Sequence, residues 1–172
     1  MDPENILDLL GFNYWATAQV LEAAGRLTPE QFSAHVAPDS GRDSLRRILV
    51  HALDTETSWR QLLQGVEVTP DLNEHDFPDI AVLRAAWDDE RESWLAFGRS
   101  LDRPALNAVF TYQFGSDPAR IRLLWQPIVH VINHGTQHRS EAAQILTAYG
   151  QSPGDLDFNY YLHLHPPAPP AA

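Results

Sequence analysis

Residues 129–146 read VHVINHGTQHRSEAAQIL, and how this stretch coils decides the architecture. Around it, Ile128, Val131, Gly135, His138, Ala142, Ile145 and Tyr149 recur at steps of three and four, the period of one face of an α-helix. Pro127 suits the first turn of such a helix, and Gly150 with Pro153 beyond it forms a stop. The spacing therefore predicts a helix from Pro127 to Tyr149 with one histidine, His138, inside its apolar stripe.

Three earlier segments share that period. The first begins at Asp2-Pro3, a capping carboxylate before a proline, and carries Ile6, Leu9, Leu10, Thr17, Val20, Leu21 and Ala24 up to Gly25. The second runs from about Asp43 to Gln64 with Leu45, Ile48, Ala52, Thr55, Trp59 and Leu62 inward. The third, from about Asp79 to Leu101, has Ile80, Leu83, Trp87, Glu90, Trp94, Phe97 and Leu101 as its seam. Thr28-Pro29-Glu30 starts a short turn, and PDSGRD (38–43) and VEVTPDLNEHDFPD (66–79) read as loops. Between Pro104 and Trp125, β-branched and aromatic residues flank GSDP, which predicts a short hairpin or extended excursion. The expectation is an all-α four-helix bundle interrupted by that excursion, one domain over residues 1–162. HLHPPAPPAA at the end, residues 163–172, reads as an extended, disordered tail.

Composition narrows the function. The 172 residues carry a net charge of −11, and all twelve basic residues are arginine. A chain this acidic repels phosphate backbones unless it gathers its positive charge, and Arg42, Arg46 and Arg47 form the densest cluster, so nucleic-acid binding is disfavoured. Without lysine there is no Schiff-base chemistry. The absence of cysteine removes disulfides, thiolate ligands and a cysteine nucleophile. No apolar run reaches the ~18 residues of a membrane span, and the first residues lack the pattern of a secretory signal; a cytoplasmic location is expected.

The chain has eight histidines. His134 and His138 stand four apart and project to one side of their helix, and His51 adjoins the stripe of the second helix. Burying imidazoles together is costly unless their lone pairs are held. A divalent cation holds them, and so does a hydrogen-bonded network; spacing alone leaves both open. Three imidazoles plus water would form a catalytic zinc site with an open position. His130 reads as a flanking residue or one that supports a ligand from behind, His35 and His75 as surface residues, and His163 and His165 as part of the tail.

At these residues the chain resembles the DinB/YfiT-like family of metal-binding four-helix bundles, the DNA-damage-inducible family. The likeness runs from about Leu9 to Tyr161 and rests on NYWATAQVLEAAGRLTPEQF (13–32), LVHALDTETSW (49–59), HVINHGTQHRSEAAQIL (130–146) and YGQSPGDLDFNYYL (149–162). Ser140 and Glu141 depart from the glycine and glutamine that often follow the family's HR pair. The resemblance implies a metal triad of His51, His134 and His138, with His130 as a non-ligand. It further implies homodimers, crossover connections between helices, and one zinc or nickel ion per chain, with iron, manganese or copper as other candidates.

Related proteins include transferases and isomerases that use small thiols, so the resemblance implies metal-assisted S-transfer to an electrophile. The hydrolytic alternative activates water and needs a base. Glu90 is the candidate, although an ion pair with an arginine would equally explain a carboxylate in that seam. A non-enzymatic metal-binding stress protein is the third reading. Glu56 reads either as a supporting residue for a ligand or as a solvated charge on the helix face, and Arg139 as an anion contact or an ion-pair partner.

Overall fold

A computed structural model describes residues 1–36, 43–69, 71–113 and 116–166. Four long helices dominate: α1 (Pro3–Ala24), α3 (Leu45–Leu63), α4 (Ile80–Ser100) and α6 (Trp125–Ala148). Short helices α2 (Pro29–Ser33), α5 (Arg103–Leu106) and α7 (Phe158–Leu164), with a 3-10 turn at Glu74–Asp76, join or flank them. Strands β1 (Val109–Tyr112) and β2 (Arg120–Leu123) form the anticipated antiparallel hairpin, with Tyr112 opposite Arg120 and Phe110 opposite Arg122. The loop expected at 38–43 and the tail expected at 163–172 lie largely outside the described residues, while α7 continues through His163 to Leu164.

Local chemistry sets the boundaries. Ser44 caps α3 by accepting from the Arg47 amide at 3.2 Å, and Asp79 caps α4 by accepting from Ala81 and Val82. Thr28 and Gln31 close a capping box on α2. Gly65 and Gly150 follow α3 and α6 with φ of 69° and 72°, the left-handed conformation that glycine adopts at least cost. α6 begins at Trp125, two residues ahead of Pro127, because the hairpin delivers the chain straight into it: Leu123 donates its amide to the Gln126 side chain at 2.9 Å.

Around the bundle, α1 packs on α4 and α6, and α3 packs on the same two. Consecutive long helices α1 and α3 are therefore diagonal, as are α4 and α6. The α1–α3 and α4–α6 connections cross the bundle, which suits the intervening α2 and the hairpin. The core runs through Ile6, Leu10, Val20, Leu49, Leu53, Leu83, Trp94, Ile128 and Leu146. Trp59, Trp87, Trp94 and Phe97 are all buried in it, each contributing apolar area worth about 2–3 kcal/mol. α7 lies across α1, where Phe12 meets Phe158 at 5.0 Å and Tyr161 at 5.9 Å between ring centres. No helix among the described residues is long and apolar enough to cross a membrane.

Candidate metal centre

α3 and α6 are neighbours, and their facing turns bring His51, His134 and His138 together. One nitrogen from each ring lies within 4.8 Å of the other two. Nε2 of His134 is 3.3 Å from Nε2 of His51 and 3.1 Å from Nε2 of His138. Two imidazoles bound tetrahedrally to zinc at ~2.05 Å place their nitrogens ~3.3 Å apart. The three nitrogens thus stand at nearly the spacing that one small cation imposes, and the three histidines could hold a metal ion. His138 is buried, while His51 and His134 are half-buried.

The far side of His138 is also engaged. Its Nδ1 lies 2.7 Å from Oε2 of Glu141, one helical turn onward. With the carboxylate accepting, Nδ1 carries the proton and Nε2 keeps its lone pair toward the triad, the carboxylate–imidazole pairing common behind metal ligands. Ser140 and Glu141 looked like a mere departure from a familiar motif. Sequence reasoning missed this contact, although the three-residue step from His138 on a helix was a signal that could have found it.

His130 stays outside the triad. Its ring sits 6.0 Å from His134 and 5.3 Å from Trp59, centre to centre. Glu90 is buried but committed elsewhere: Arg60 grips both its oxygens at 2.6 and 2.7 Å, the ion pair that the sequence offered as the other explanation for an acidic seam residue. His35, His75, His163 and His165 are exposed.

Glu56 and Arg139 are both buried rather than at the surface, and a shared partner on α1 joins them. Glu56 is only 1% exposed, which overturns the reading of a solvated charge. The inner stripe of α3 passes through Ala52, Glu56 and Leu63, while Thr55, expected inward, is half-buried. Asn13 donates to Glu56 Oε1 at 2.8 Å and Tyr14 donates to Oε2 at 2.6 Å. Arg139 donates to Oδ1 of the same Asn13, and to Thr17 at 3.3 Å and Thr136 at 2.9 Å. Asn13 therefore links an acid and a base that share no direct contact in this network. Gly135 makes the crossing possible, since a Cβ there would come within 2.8 Å of both Arg139 Nη1 and Asn13 Oδ1.

Burial dominates the electrostatics of this network. It pushes the Glu56 carboxyl up to about 7, against the lowering effect of the Tyr14 and Asn13 hydrogen bonds and the Arg139 charge. It also draws Arg139 down to about 10, with Glu56 opposing. Tyr14 is held well above its usual range by burial and by the adjacent Glu56.

The DinB family profile matches residues 1–170, nearly the whole chain. The chain belongs to the DinB family. The triad expected from the family likeness is the trio of histidines that the DinB fold here draws together. A search among curated proteins finds no match, so the likeness assigns a family and a fold without a reaction.

Proposed function

We propose that this DinB protein binds one divalent metal ion through His51, His134 and His138 and uses it to activate a small thiol for transfer to an electrophile. The observation that carries the reading is the convergence of three imidazole nitrogens at 3.1 and 3.3 Å, with Glu141 behind His138. A bound cation of borderline softness would supply Lewis acidity, lowering the pKa of an incoming thiol toward neutrality. Imidazole donors suit zinc and nickel, and also copper or iron. The protein's part is to hold three neutral rings, to fix the proton of His138 on Nδ1, and to keep the site half-buried.

Two features favour a thiol over water as the activated group. Glu90, the candidate base, is clamped by Arg60, and Glu141 is occupied by His138. With no cysteine in the chain, the sulfur comes from the cosubstrate. It forms the new carbon–sulfur bond, its proton passes to solvent, and the leaving group departs with the bonding pair. Association into homodimers forms part of the same proposal, on the family likeness.

The test is thiol consumption by zinc- or nickel-loaded protein with 2-mercaptoethanol and 1-chloro-2,4-dinitrobenzene. A rate that requires both protein and metal is expected; a rate unchanged by chelation would sink the thiol reading. Replacing Glu141 probes the ligand set independently. Glu141→Gln should weaken metal binding about 10- to 100-fold, read by competition with a chromogenic chelator, and an unchanged affinity would remove Glu141 from the site.

A further inference from the structure

Beside the triad, between the hairpin and the first turns of α6, lies a cavity of about 260 Å³. Arg120, Arg122, Tyr112, Trp59, Gln126 and His130 line it. It is one helical turn from the triad, because His130 precedes His134 by four residues and their rings are 6.0 Å apart. Its size suits a short organic acid rather than a cofactor.

The charge of this cavity is opposite to that of the chain. The protein carries 23 acidic against 12 basic residues, yet two arginines and no carboxylate stand among the described lining residues. Alternation along β2 explains the pairing: Arg120 and Arg122 are two residues apart and share one face. Across the ladder they oppose Tyr112 and Phe110, which stack at 5.7 Å, while Ile121 and Val109 occupy the opposite, exposed face. Arg122 donates one N–H to the Ile121 carbonyl at 2.8 Å. Among the described residues no carboxylate pairs with the rest of its five-donor fork. Arg120 meets Asp117 at 3.0 Å, both side chains about half exposed, an interaction that an incoming anion can replace at little cost.

We propose that this cavity is a carboxylate subsite: Arg122, assisted by Arg120, holds the carboxylate of the small molecule whose reacting end meets the triad. Trp59 and Tyr112, in edge contact at 5.1 Å, form the apolar floor for the intervening carbon chain. The inference rests on the metal-and-thiol reading above for its reacting end, but the subsite itself stands on the hairpin. The carboxylate belongs either to the thiol or to the electrophile, and the two sources are separable.

The experiment uses cobalt(II)-loaded full-length protein and three probes. 6-Mercaptohexanoate and 6-mercaptohexan-1-ol share a length and differ in charge; hexanoate lacks sulfur. Thiol binding is read from thiolate-to-cobalt absorption, and hexanoate binding from the Trp59 indole N–H resonance, assigned with Trp59→Phe. If the thiol bears the carboxylate, mercaptohexanoate binds about tenfold more tightly than the alcohol, the scale of a charge-assisted hydrogen bond. That preference disappears in Arg122→Gln and in Arg120→Gln/Arg122→Gln but persists in Arg91→Gln, an exposed arginine on α4. If the electrophile bears it, the two thiols bind alike while hexanoate moves the Trp59 signal only when Arg122 is present. Equal thiol affinities together with an Arg122-independent hexanoate response, or with none, overturn the subsite. Loss of the cobalt absorption with both thiols counts against the thiol reading alone, and the hexanoate arm then decides the subsite by itself.

Discussion

His138→Ala protein is expected to emerge from purification essentially free of metal, whereas the unmodified chain carries close to one ion. Each ligand of a biological zinc site accounts for ~3–4 kcal/mol of binding, so losing one of three weakens affinity about 100- to 1,000-fold. His138 is the ligand to remove first, because it is the buried member of the triad and the one whose proton is fixed by Glu141. Elemental analysis of untagged protein gives the stoichiometry, and thermal unfolding gives a second measure. An ion present at ~1,000 times its Kd adds about 4 kcal/mol to stability, or about 10 °C in Tm for a chain of this size. That rise should vanish in the variant while its helical circular dichroism persists. Full metal occupancy in His138→Ala would overturn the ligand assignment.

Arg139→Ala should be the most destabilising single change in the polar network. Losing the guanidinium leaves Asn13, Thr17 and Thr136 without their buried donor, each unsatisfied group costing about 1–3 kcal/mol. It also removes the positive charge that favours the Glu56 carboxylate. A fall in Tm of about 10 °C is expected, with partial recovery in Arg139→Ala/Glu56→Gln. A fall below 2 °C would show that the network is not coupled to stability. The pH dependence carries its own sign. Glu56 holds its proton more tightly folded than unfolded, since its carboxyl is raised from 4.5 to about 7. The native state therefore binds the extra proton across that interval. Its contribution to stability is fully present below about 4.5 and is lost as pH rises through about 7. Urea midpoints measured from pH 4.5 to 7.5 should fall more steeply for the unmodified chain than for Glu56→Gln.

The long helices and the hairpin were legible because periodicity and β-branched clustering are local properties. The histidines were legible for a different reason: spacing nominated His134 and His138, the edge of the α3 stripe nominated His51 from 83 residues away, and the family motif joined the three as one ligand set. What escaped was the polar layer beneath. Thr55 and Glu56 differ by one position, about 100° around a helix, and an apolar-stripe argument prefers the less charged of the two. Glu56 can face inward only because Asn13 and Tyr14 on α1 answer it, and α1 reaches it only through a bundle order in which α1 and α3 are diagonal. Arg139 was hidden likewise, since its partners on α1 lie 122 and 126 residues away. The short helix α7 is held by aromatic contacts with α1 rather than by any periodic pattern of its own.

The diagonal helix order has a kinetic consequence. His51 and His134 meet only after the chain has closed a circuit of 83 residues, and long-range closures of this kind are entropically expensive and late. An ion chelated across that junction acts as a clasp on the circuit. It should slow the separation of α3 from α6 far more than it speeds their first meeting, so the holo form would owe its persistence to slow opening.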